Sequence, residues 1–80
     1  MTYLRAILID QIVYTLGIPP STITDDHTLD DLGADSLDIV EIAMGIEDRL
    51  DLPEHLPTEV IETGTLAQIL AAADAMRGAA

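Results

Sequence analysis

Cysteine is missing from the 80 residues, so neither a disulfide nor a thiolate metal site can form. Lysine is missing too. Three arginines stand against fifteen acids, for a formal net charge of −12. Such a surface repels nucleic acid and anionic lipid, and it steers basic protein patches toward itself. Phenylalanine and tryptophan are absent and tyrosine occurs twice, so aliphatic side chains must fill the interior. No run approaches the roughly 18 uninterrupted apolar residues of a membrane span. The first residues carry only Arg5, break their apolar run early and lack a cleavage pattern, unlike a signal peptide. A cytoplasmic protein is the expectation.

Apolar residues make up 49% of the chain, enough for one packed core and too little length for a second. Residues 1–80 therefore read as a single domain. The spacing predicts a first helix from a Thr2 cap to about Leu16, closed by Gly17 with Pro19 just beyond. Its apolar residues exceed one stripe, so either most of this helix is buried or part of it is a second contact surface. Gly17 to Asp35 is a long connection, with Ile18, Ile23, Leu29 and Leu32 spaced as plugs into the core and Asp25, Asp26, Asp30 and Asp31 left in water. Another helix runs to about Leu50, ahead of Pro53. After the linker 51–57, Thr58 to Thr63 makes a short helix with Val60 and Ile61 facing inward. Thr65 and Gln68 have capping-box spacing and open a last helix, whose stripe is Leu66, Ile69, Leu70, Ala73 and Met76, ending at Gly78. The expected fold is all-α: a small antiparallel four-helix bundle, three longer helices plus one short helix, with a long loop between helices one and two.

The informative stretch is Asp31-Leu32-Gly33-Ala34-Asp35-Ser36-Leu37-Asp38-Ile39-Val40-Glu41, a loop that bends at a glycine and opens the second helix. Asp35 and Ser36 are both good N-cap types, and Asp38 puts negative charge in the first turn, where the helix dipole favours it. At about 100° per residue, Ile39, Ile42, Ala43, Ile46 and Leu50 fall within one core-facing arc. Leu37, Val40, Glu41, Met44, Glu47 and Asp48 lie opposite, and Glu62 is expected off that face. An apolar patch rimmed by carboxylates has the pattern of a docking surface, although scattered exposed apolar residues are also ordinary.

A nucleophilic role for Ser36 needs a base within hydrogen-bond reach. The histidines, His27 and His55, fall in linkers, and no strand or glycine elbow precedes the serine. No catalytic residue is expected. The acids after Asp25 lack the alternate-ligand spacing and closing glutamate of a calcium loop, and the histidines lack metal-ligand spacing, so no metal site is expected either. Ser36 as a plain N-cap stays open beside a role as a modification site.

Gly33-Ala34-Asp35-Ser36-Leu37 with Asp38 and Glu41 resembles the attachment motif of acyl carrier proteins, and the resemblance covers length, acidity and helix order. It implies that Ser36 carries 4′-phosphopantetheine from coenzyme A, installed by a phosphopantetheinyl transferase, and holds acyl groups on the arm's thiol as thioesters. It implies docking through Asp35, Leu37, Asp38, Val40, Glu41, Met44, Glu47 and Asp48 onto acyl-loading and acyl-transfer enzymes with basic patches. The cargo is then fatty acyl, polyketide or specialised lipid. An aminoacyl or peptidyl carrier, or an unmodified acidic adaptor, stands as the alternative. Three features depart from the family: the apolar first helix, a leucine at position 29 where an aromatic is frequent, and a second linker two residues longer than usual. The first leaves weak self-association through helix one open in an otherwise monomeric protein.

Overall fold

A computed structural model describes residues 2–78, without the side chain of Thr2, so the Thr2 cap lies outside the described residues. The helices are α1 (Thr2–Leu16), α2 (Ser36–Leu50), α3 (Thr58–Thr63) and α4 (Leu66–Gly78), with a 3-10 turn at Pro20–Thr22. No strand occurs among the described residues; Thr28 and Thr65 form an isolated antiparallel bridge. This is the all-helical bundle expected from the spacing.

Each boundary has a local cause. Gly17 adopts φ 68, a left-handed conformation that suits glycine, and its N–H closes α1 on the Val13 carbonyl at 2.8 Å. α2 ends at Asp51, also left-handed at φ 52, whose N–H reaches the carbonyls of Glu47 and Asp48. Thr65 and Gln68 cap α4 reciprocally: the Thr65 N–H donates to Gln68 Oε1 at 2.8 Å and the Gln68 N–H to Thr65 Oγ1 at 3.3 Å.

The core is aliphatic throughout. Leu4, Ile7, Leu8 and Ile12 of α1 meet Ile42, Ile46 and Leu50 of α2, Ile61 of α3, and Leu66, Ile69, Leu70 and Ala73 of α4. Of the loop plugs, Ile23 and Leu29 are buried, whereas Ile18 and Leu32 pack half-buried on the core. Leucine alone fills position 29, where its full burial contributes about 1.5–3 kcal/mol. Ala34 and Leu56, both in connections, are buried as well. Ile39 and Ala43 differ from the expected stripe in being only half-buried, because both border an open cleft between α2 and α3.

The long connection is pinned at several points. Thr28 N–H donates to Asp31 Oδ2 and Asp31 N–H to Thr28 Oγ1, both at 3.0 Å, which holds the Asp31 carboxyl below its usual pKa. Gly33 turns at φ 93, with its N–H on the Asp30 carbonyl. Two α4 amides reach back to the same loop, Leu66 N–H to the His27 carbonyl at 2.9 Å and Ala67 N–H to the Asp25 carbonyl at 3.2 Å. The loop therefore satisfies donors that a helix start leaves without partners.

Candidate functional site

α2 begins where this pinned loop releases it. Asp35, not Ser36, is the N-cap: its Oδ1 accepts from the Asp38 N–H at 2.9 Å, and Asp38 Oδ2 accepts from the Asp35 N–H at 3.2 Å. Of the two residues with cap chemistry, the structure uses Asp35, and the plain-cap alternative left open for Ser36 is not the one taken. Ser36 is the first helical residue and exposed, and among the described residues its hydroxyl has no hydrogen-bond partner. The backbone N–H groups of Ser36 and Leu37 stand at the positive end of a 15-residue helix.

An open groove of about 530 Å³ starts at Ser36 and runs between α2, α3 and the loop. Ile39 and Val40 form its apolar floor, with Thr28, Asp30, Glu62 and Thr63 on its walls. A narrower cleft of about 170 Å³ continues between α2 and α3, where Ala43, Leu56 and Ile61 join Ile39 and Val40. Glu62, expected off this side, lines both spaces, because α3 turns it toward α2.

The apolar members of the expected docking face are indeed outside: Leu37 is 68% exposed, Val40 51% and Met44 61%. Asp35, Glu41 and Asp48 are exposed around them, and Asp38 is half-buried in the cap. Glu47 is placed differently from its sequence reading. Its side chain is only 13% exposed and accepts from the Leu56 N–H at 2.7 Å, with His55 Nδ1 at 2.9 Å. It is occupied in holding the 51–57 linker onto α2 and does not stand free on the rim. The hydrogen bond to Glu47 and its charge raise the His55 pKa.

Neither the Glu47–Leu56 bond nor the burial of Ala34 has a local sequence signal, since both depend on the linkers folding back. The Thr28–Asp31 pair does: Thr-x-x-Asp is capping-box spacing, and it could have been read. The other histidine, His27, accepts from the Thr24 N–H through Nδ1 at 3.3 Å, far along the chain from His55.

Residues 6–73 match the family model described as a phosphopantetheine attachment site. An acyl carrier protein of Bdellovibrio bacteriovorus is 46% identical over 54 residues, covering 66% of this chain and 67% of that protein. One from Syntrophobacter fumaroxidans is 40% identical over 57 residues, covering 70% and 68%. No solved structure gives a significant match. An exposed serine at a helix start, a helical bundle around it and these relatives converge: the chain belongs to the acyl carrier protein family, and it is a carrier, not an enzyme.

Proposed function

We propose that Ser36 Oγ is the attachment point of 4′-phosphopantetheine. The observation that carries this reading is the hydroxyl itself, exposed, without a hydrogen-bond partner among the described residues and set at the mouth of the α2–α3 groove. The residues present fit the group. The first-turn amides of Ser36 and Leu37 suit a phosphodiester, and the groove floor of Ile39 and Val40 suits the less polar length of the arm. Asp35 and Asp38 oppose the phosphate charge, but their carboxylates are occupied with each other's backbone N–H. When bound, the group supplies a terminal thiol on which acyl chains are held as thioesters.

The chain's own residues then present that arm. Leu37, Val40 and Met44 form the apolar centre of a docking face, and Asp35, Asp38, Glu41 and Asp48 form its acidic rim. Partners are a phosphopantetheinyl transferase and the acyl-loading and acyl-transfer enzymes of fatty-acid, polyketide or specialised lipid synthesis, met through basic patches in the cytoplasm. Rim charges set the encounter rate more than final affinity, which suits a protein that must leave each enzyme quickly. Tethering raises the effective concentration of cargo without tight binding.

Incubation with coenzyme A and a broad transferase should add one phosphopantetheine group to the wild-type mass and none to Ser36→Ala. The same gain in Ser36→Ala overturns the assignment, and no gain in the wild-type chain favours the unmodified adaptor. Glu41→Lys and Asp48→Lys should slow the modification well beyond Asp74→Lys on α4. Equal rates among the three remove the docking face.

A further inference from the structure

All three arginines of this −12 chain converge on one helix. Arg5 lies in α1 and pairs with Asp25 at 2.8 Å. Arg49, in the last turn of α2, reaches Asp10 of α1 at 3.0 Å. Arg77, in the last turn of α4, sits 5.7 Å from the ring centre of Tyr3 of α1. Asp10 is the one acid on α1, and it is paired. The outer side of α1 is thus close to neutral on a molecule whose other acids have almost nothing to balance them.

That side is also apolar. Tyr14 is 86% exposed and Tyr3 63%, the largest uncovered rings in the chain. Alongside them a shallow groove of about 390 Å³ is lined by Arg5, Ala6, Ile9, Asp10, Val13 and Pro20. Among the described residues it is bordered by α1 and by Pro20 of the 3-10 turn, and it lies away from the α2 face described above, since α2 turns Ile42 and Ile46 toward α1.

We propose that this face binds a second copy of the chain, α1 against α1, in an antiparallel two-fold pair. Charge selects the occupant. A copy presenting any acidic face is repelled, and a basic partner is drawn to the acids elsewhere, whereas two near-neutral α1 faces meet with the least of that penalty. The pattern is self-complementary, as a two-fold contact requires. The exposed line Tyr3–Ala6–Asp10–Tyr14 has a ring at each end, so an axis near its middle sets Tyr14 of each copy beside Tyr3 and Ala6 of the other. Tyrosine is among the residue types that anchor such contacts. One helical face offers about half of the ~800 Å² per partner of a standard interface, so the pair is weak and concentration-dependent. It leaves Ser36 and the α2 face free in both copies.

Sedimentation equilibrium on the full chain tests it. The average mass should rise from one chain toward two between about 0.05 and about 2 mM. Because the remaining charges repel, raising salt to about 1 M should strengthen the pairing several-fold, the opposite of docking onto a basic enzyme. Ala6→Glu and Tyr14→Glu, both at exposed positions, should weaken it about ten-fold or more with helical content unchanged, while Ala71→Glu on α4 should leave it in place. A single chain mass at every concentration and salt overturns the proposal. So does an equal loss in Ala71→Glu, which would assign the effect to net charge and not to α1.

Discussion

Replacing Asp35 by alanine takes away the acceptor that holds the Asp38 N–H at 2.9 Å, while the return bond from the residue-35 N–H to Asp38 Oδ2 survives. Loss of an N-cap side chain costs about 1 kcal/mol. In a domain of this size that lowers Tm by about 4–8 °C. Asp35→Asn keeps an acceptor oxygen in the same place and gives up only the charge, for which the helix dipole contributes about 0.3–1 kcal/mol, before repulsion from the neighbouring acids is relieved. Its loss should therefore be under half that of alanine. Thermal and urea melts followed by far-ultraviolet circular dichroism read both, with an unchanged m-value showing that the unfolded state is unaltered. Modification of Ser36 by a transferase separates the two roles of this aspartate. Equal slowing in both variants assigns its effect to charge on the rim, and slowing in alanine alone assigns it to the posture of the helix start. Identical melting of alanine and wild type, or an asparagine loss as large as that of alanine, would refute the capping argument.

Two glycines should respond in opposite directions. A Cβ at Gly45 first meets the far end of the Gln11 side chain, which can swing aside, so Gly45→Ala should be neutral or gain up to about 1 kcal/mol of helix propensity. A Cβ at Gly64 meets the Val60 carbonyl, part of the backbone that closes α3, so Gly64→Ala should lose about 1–3 kcal/mol. Melts that rank the two the other way would contradict the packing between α1 and α2. His55 has a folded pKa raised by Glu47, so its contribution is complete below the ordinary histidine value of 6.5 and disappears as pH climbs through the raised value. The melting difference between wild type and His55→Gln should be larger near pH ~5.5 than near pH ~8.5, and a pH-independent difference would count against the pairing.

The parts of the fold that could be read from sequence are those with local causes. Gly17 and Pro19 ended α1, Pro53 limited α2, Thr65 with Gln68 opened α4, and Ile23 and Leu29 fell inside as lone apolar residues among polar neighbours in a loop that must anchor itself. The position of Ser36 at a helix start was equally legible. Which of Asp35 and Ser36 caps was not, since both have the chemistry and only the loop path chooses. Glu47 looked like a rim charge because helical spacing put it on the right face. Its partners, His55 and the Leu56 N–H, come from a linker whose course no periodicity reports. The excess apolar surface of α1 was visible as composition, yet the gathering of every arginine around it became apparent only once α2 and α4 had been laid against it.

Leu66 and Ala67 lean on the carbonyls of His27 and Asp25, so the stretch that delivers Ser36 is also the lintel over the last helix. Cutting residues from that stretch to tighten the molecule would unroof α4 before it disturbed the serine. Anyone transplanting the Ser36 segment into another scaffold must bring the start of α4 along with it.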